Sequence, residues 1–185
     1  MIVRGGKTAL SALILGLTGL GLAACASDTP AKPLPCPQIL IAENSENRTN
    51  FKPGAGRDII DVLDETKITG FSSACKYDVD ETGTGTVAIQ LAPDFVIQRG
   101  PASTTDSAQF EYFIAVTDSQ RRVLEKKRYP VSIPFPQGVP SILWKSDPPT
   151  RLALPLSQGQ NGDNYVIFLG LQLNREQLRH NQDSR

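Results

Sequence analysis

The chain has 185 residues, with 19 basic and 19 acidic side chains and a formal net charge of zero. That balance offers no broad electrostatic attraction for nucleic acid. One histidine beside three cysteines is a poor ligand supply for zinc, and the length fits one domain with its own core.

Arg4 and Lys7 are the only charges before Asp28, and residues 8–22 form an apolar run containing Leu10, Leu13, Ile14, Leu15, Leu17, Leu20 and Leu22. A basic start, a short apolar core and small residues before a cut describe a secretory signal. Gly5-Gly6-Lys7-Thr8 has the look of a phosphate-loop end, but no earlier glycine or strand precedes it. An uncleaved anchor of about 20 apolar residues is the rival reading. Gly16, Gly19, Gly21 and the position of Cys25 favour processing. The string Leu22-Ala23-Ala24-Cys25 resembles the lipobox of bacterial lipoprotein precursors; an ordinary secretory signal is the blander alternative. The resemblance implies a signal peptide over residues 1–24, a diacylglyceryl group on the Cys25 thiol and an acylated new N-terminus. Two or more acyl chains hold a protein stably on a membrane, whereas one does so only marginally. Ala26 after the cysteine implies, by the same resemblance, the periplasmic face of the outer membrane.

Removing residues 1–24 leaves 17 basic and 19 acidic groups. With Cys25 assigned to lipid, Cys36 and Cys75 remain as an even pair in an oxidising compartment, which reads as a disulfide. Closing a loop of about 40 residues stabilises a fold by about 4 kcal/mol in the chain-entropy model. Residues 25–35 read as a tether with Pro30, Pro33 and Pro35, able to lift the domain by about 30 Å.

Residues 36–174 read as an all-β, antiparallel sandwich of immunoglobulin or fibronectin type with short helical turns. Gln38-Ile39-Leu40-Ile41 opens it. Residues 58–63 are one or two turns capped by Asp58, or an irregular strand. Residues 68–79 put Phe71, Cys75, Tyr77 and Val79 on one face. A hairpin turn over residues 78–85 leads to Val87, Ile89 and Leu91 pointing inward, and Pro93 interrupts the ladder before Phe95-Val96-Ile97. Phe110, Tyr112, Ile114 and Val116 alternate with apolar Phe113 and Ala115, so that strand is central. In residues 129–136, Pro130, Pro134 and Pro136 share one parity, so the donors they lack all belong to one edge. That edge is closed to further pairing, while Val131, Ile133 and Phe135 keep their donors for a neighbour. Leu152, Leu154 and Leu156 form the next strand. Residues 165–173 are apolar on both faces and also central. Asn174 and Gln177 form a capping box at the start of a polar C-terminal tail, residues 175–185. Through Arg99-Gly100-Pro101, Tyr112-Phe113-Ile114-Ala115-Val116 and Glu176-Gln177-Leu178, the chain resembles small uncharacterised lipoproteins of alphaproteobacteria, a resemblance that implies no particular activity.

No catalytic constellation emerges. Gly70-Phe71-Ser72-Ser73-Ala74 lacks the last glycine of a nucleophile elbow, and Ser73-Ala74-Cys75-Lys76 lacks the companion motifs of a Ser-x-x-Lys enzyme. Asp78, Asp80, Thr82 and Gly83 resemble half a calcium loop, yet Ile89 stands where its glutamate belongs. Asp58, Asp61 and Asp64 read as a solvated face, and His180 lies in the polar tail. Trp144 reads as core. The densest charge is Arg121, Arg122, Lys126, Lys127 and Arg128, either a solvated arm or a contact for anionic lipid or glycolipid. No cofactor or metal is expected. The expectation is a lipid-anchored envelope protein with a non-catalytic interaction or structural role, partnered by a membrane through Cys25 and by an envelope protein or anionic glycolipid. The alternative is an enzyme or small-ligand carrier acting on envelope polymers or lipids.

Overall fold

The computed structural model describes residues 33–54 and 56–184. The expected signal peptide, Cys25 and most of the tether lie outside the described residues. Nine strands follow in chain order: β1 (Gln38–Ile41), β2 (Asn47–Phe51), β3 (Val62–Val79), β4 (Gly85–Arg99), β5 (Ser107–Asp118), β6 (Val123–Pro134), β7 (Ser141–Lys145), β8 (Thr150–Leu156) and β9 (Tyr165–Leu171), then one helix, α1 (Arg175–Asp183).

One sheet has the order β1-β9-β5-β6; the other has β2-β3-β4, with β8 and β7 sharing the far edge of β4. Alternating inward residues of both sheets interdigitate, which makes the protein an all-β sandwich. Phe95 is fully buried at its centre, with the rings of Phe110, Tyr112 and Trp144 between 5.3 and 5.4 Å away. Trp144 is thus a core residue. The strand order separates the last two strands, β8 and β9, into different sheets, whereas an immunoglobulin domain pairs its last two strands. One pair is parallel: Gln38 to Ile41 lie opposite Val166 to Leu169.

The alternation in the sequence locates most of these strands. β5 and β9 are both interior to their sheet, which explains why each is apolar on two faces. β6 is an edge strand that pairs with β5 alone. The Phe135 N–H donates to the Asp106 carbonyl at 2.8 Å, so odd-numbered donors turn toward β5 and the missing donors of Pro130 and Pro134 fall on the open edge.

Several boundaries differ from expectation. β6 begins at Val123 rather than Tyr129, so most of the basic arm belongs to it. β9 ends at Leu171, two residues early. Pro93 does not interrupt β4: it pairs with Phe71, and the register of the ladder shifts only on the β3 side, between Ile68 and Gly70. Its carbonyl accepts from Ser146 at 3.0 Å, so its absent donor faces the gap where β8 gives way to β7, and no ladder bond is lost. Residues 59–61 are a single 3₁₀ turn after Asp58, and β3 starts directly behind it. The polar tail is not detached. α1 carries the expected Asn174–Gln177 capping box, and its Asn181 amide donates to the Asn44 and Asn47 carbonyls at 2.9 and 2.7 Å. β2 carries too few apolar residues to announce itself, and β7 is a short run of Ile142, Leu143 and Trp144 without alternation.

Candidate functional site

The two ends of the sandwich are built differently. At the first end the chain enters the domain. Cys36 and Cys75 are joined, with Cα atoms 6.0 Å apart, which ties the start of β1 to β3 across the two sheets. Two residues on, the Tyr77 hydroxyl donates to the Pro35 carbonyl and accepts from the Gly162 N–H at 2.6 Å. Gly162 has no freedom to be larger, because a Cβ there would collide with the Pro35 carbonyl and the Pro37 nitrogen. Disulfide, tyrosine and glycine together clamp the chain where it becomes β1.

The tip of the β5–β6 hairpin lies at this same end. Val166 sits between Gln38 of β1 on one side and Thr117 of β5 on the other. At about 4.8 Å per strand spacing, the entry point and the base of the tip are about 10 Å apart. Residues 121–128 are all exposed, including Val123 at 64% and Leu124 at 56%. The register slips between Val116 and Thr117, and Arg121 adopts φ 62° in the turn.

This bulge corrects one expectation. An even alternation places Arg122, Lys126 and Arg128 on one face. Instead Arg122 belongs to the turn, where its Nε reaches Asp118 at 2.6 Å, and only Lys126 and Arg128 share the outer face. Lys126 stands 4.0 Å over the Phe113 ring, Arg128 lies 3.6 Å from Glu111 and Lys127 lies 2.7 Å from Glu125. The backbone and side-chain hydrogen bonds from Arg122 hold the Asp118 carboxyl below its ordinary pKa, and Glu125 raises that of Lys127. Exposed pairs of this kind are worth about 0–1 kcal/mol each, so the cations stay available to a stronger anionic partner. Beneath the tip, a hollow of about 420 Å³ is lined by Val116, Leu124, Ala153, Leu154, Pro155 and Tyr165 with Glu125 at its rim.

The opposite end holds residues that sequence reasoning placed elsewhere. Asp61 and Asp64 are buried, at 6% and 6% exposure, while Asp58 is exposed. Their spacing of three suggests a helical, solvated face. Because β3 starts at Val62, the controlling period is two, and Asp64 and Thr66 fall on the inward side with Val62 and Ile68. Arg48 of β2, 9% exposed, meets Asp64 at 2.6 Å, and the Asn50 amide donates to the other carboxylate oxygen at 2.7 Å. Lys52 meets Asp61 at 2.6 Å and, as the leading cause, lowers its pKa. The signal pointing to this cluster is the inward parity of a polar series, Asp64 and Thr66, running straight into Ile68.

Arg48 and Asn50 border a cleft of about 760 Å³ between the sheets. β5 contributes Gln109, Phe110 and Glu111, β6 contributes residues 130–132, and residues 172–174 with Gln177 close it.

The remaining sequence motifs are absorbed by structure. The Asp80 carboxylate accepts from Thr82 N, Thr82 Oγ1 and Thr84 N at 2.6–3.0 Å, closing the β3–β4 turn. Cys75 of the Ser-x-x-Lys string is in the disulfide, and His180 packs edge-on against Phe51 at 5.2 Å. Among the described residues no helix is long and apolar enough to cross a membrane, and no group of three metal-ligating side chains gathers. Compared with protein-family models, curated proteins and solved structures, the chain gives no match.

Proposed function

We propose that this chain is a lipid-anchored envelope protein with a non-catalytic role, held by acyl groups on Cys25 at the periplasmic face of the outer membrane. On this reading the end of the sandwich nearest the anchor meets the anionic headgroups of that membrane through the β5–β6 tip. One observation carries the reading: the tether entry at Pro35 and the exposed basic tip share one end of the fold, joined through the neighbours of Val166. A tip with two exposed aliphatic side chains, Val123 and Leu124, among five cations matches an interface whose headgroups are charged and whose interior is apolar. The acidic turn with Asp80 and Glu81 closes the other sheet at this end. The contact therefore belongs to the β5–β6 side and tilts the domain.

Two measurements test it. Cys25→Ser should abolish fatty-acid labelling and leave the precursor uncut, and normal processing with membrane retention would overturn the anchor. Lys126→Ser with Arg128→Ser and Leu124→Ser should weaken sedimentation with phosphatidylglycerol vesicles, most strongly at low ionic strength. Unchanged sedimentation at low salt would reduce the tip to a solvated hairpin.

A further inference from the structure

We infer that the cleft at the far end of the sandwich is a binding site for a neutral polyhydroxylated chain, a stretch of saccharide. The argument begins with charge. Arg48 is the only cation lining the cleft, and Asp64 balances it at 2.6 Å. Glu111, the only acid lining it, faces Arg128 at 3.6 Å. The cleft thus has no net charge with which to select an ion.

Its polar lining is instead made of carboxamides: Asn50, Gln109, Gln172, Asn174 and Gln177. A carboxamide presents donor and acceptor side by side, which suits the vicinal hydroxyls of a sugar ring. Four of the five are fixed from one end, Gln172 through its NH₂ on the Leu173 carbonyl at 3.4 Å. The Asn50 NH₂ is held by Asp64, the Asn174 oxygen accepts the Glu176 and Gln177 N–H groups at 3.0 and 2.8 Å, and the Gln177 oxygen accepts the Asn174 N–H at 3.0 Å. The other end of each amide has no hydrogen-bond partner among the described residues. Such pre-organised groups cost little entropy on binding. Phe110, Val131 and Leu173 supply apolar surface for the C–H face of a ring. The volume, about 760 Å³, lies in the range of small-ligand sites.

A peptide is the less suitable occupant. Peptides commonly add to an exposed edge through main-chain hydrogen bonds. The edge of β6 at this cleft has lost the donors of Pro130 and Pro134, so only Ser132 could offer one between them. The cleft also lies about 26 Å along β5 from the tip, by eight residues at about 3.3 Å each, and it shares with the basic strand only Arg128, through the contact with Glu111.

The test uses the full chain in lauryldimethylamine oxide, a detergent without sugar. Maltotriose, chitotriose and cellotriose are titrated by calorimetry and saturation-transfer NMR, with trialanine and inositol hexaphosphate as comparison probes. Saturable binding of at least one trisaccharide is expected at about millimolar strength, with no comparable binding of the comparison probes. Gln109→Ala with Gln172→Ala should weaken it at least about tenfold, with the melting temperature and the binding of Lys76→Ser unchanged. No saturable binding of any trisaccharide up to about 10 mM, tighter binding of trialanine or the hexaphosphate, or indifference to the paired substitution would overturn the assignment.

Discussion

The two ends of the sandwich solve the same problem, closing the gap between two sheets, by unlike means. The end where the chain enters is closed by a covalent bond and by backbone groups, with Cys36, Cys75, Tyr77 and Gly162 clamping the entering chain. At the far end a buried ion pair and an amide, Arg48, Asp64 and Asn50, face the gap from the β2–β3 sheet. β1 is only four residues long and lies at the edge of its sheet, so any pull on a tether would be applied to its weakest strand. A staple at Cys36, two residues before that strand, is where such a load needs resisting. At the far end polar side chains face the gap and leave a cleft beside them.

This contrast is sharpest under loss of the disulfide. Cys36→Ser with Cys75→Ser should destabilise the domain by about 4 kcal/mol, following the entropy of a loop of 39 residues. Urea denaturation at pH 7 measures it. Hydrogen exchange should show the Gln38–Ile41 amides losing protection before β4. If protection were lost uniformly, the bond would be a general stabiliser and no clamp.

The far end should break next. Asp64→Ala leaves Arg48 buried without its counter-charge and should cost about 3 kcal/mol or more, because removing one partner of a buried pair exposes the full desolvation penalty of the other. Arg48→Met with Asp64→Leu should restore most of that loss. Failure of the pair to recover stability would mean that the ion pair is held for stability and not for the shape of the cleft.

A smaller effect is expected from Tyr77→Phe, about 1–2 kcal/mol, since the Pro35 carbonyl and the Gly162 N–H each lose a partner. The same substitution should speed hydrogen exchange at Gly162 while leaving Arg48 and Asn50 unaffected. Spread of the effect to β2 would show that the two ends are not independent.

How legible these ends were in the sequence follows from which force builds each. The entry end was readable because cysteine pairing is a matter of count and compartment; the β6 edge, toward the far end, was readable because Pro130 and Pro134 state it by the donors they lack. The core was readable wherever burial imposes a period of two, as in Val87, Ile89 and Leu91. The far end was opaque because its inward residues are polar. Asp64 and Thr66 obey the same alternation as Ile68, but a polar residue at inward parity looks like solvent-facing surface until its partner is known, and that partner, Arg48, lies 16 residues away. β2 escaped notice for the same reason. The parallel pairing of β1 with β9 depends on contacts across the whole chain, which no local pattern encodes. The bulge near Val116 and the positive φ at Arg121 are matters of turn geometry, and they moved Arg122 off the face its parity assigned.

The smallest effect concerns acid. The Asp118 carboxylate closes the β5–β6 tip, accepting the Gln120 and Arg122 N–H groups at 2.9 and 2.9 Å on one oxygen and Arg122 Nε at 2.6 Å on the other. These bonds, led by the backbone N–H of Arg122, lower its pKa in the folded protein. A depressed carboxylate stabilises the fold at every pH above its unfolded value, about 3.9, and that contribution disappears as pH falls through the lower, folded value. The tip should therefore be indifferent to pH between 7 and 5 and should loosen only below about pH 4. In an NMR titration the Gln120 and Arg122 amide resonances should move together in that acid window. Asp80, depressed by its bonds to Thr82 and Thr84, should release the neighbouring turn over the same range. The Cys36–Cys75 clamp has no proton to gain, so the amides of β1 should hold still while both turns move. Asp118→Asn should abolish the step at Arg122 and leave the one at Thr84. A shift of the Arg122 amide already between pH 7 and 5 would contradict the sign of the argument. Movement of β1 in step with the tip would show that the entry end yields as one piece.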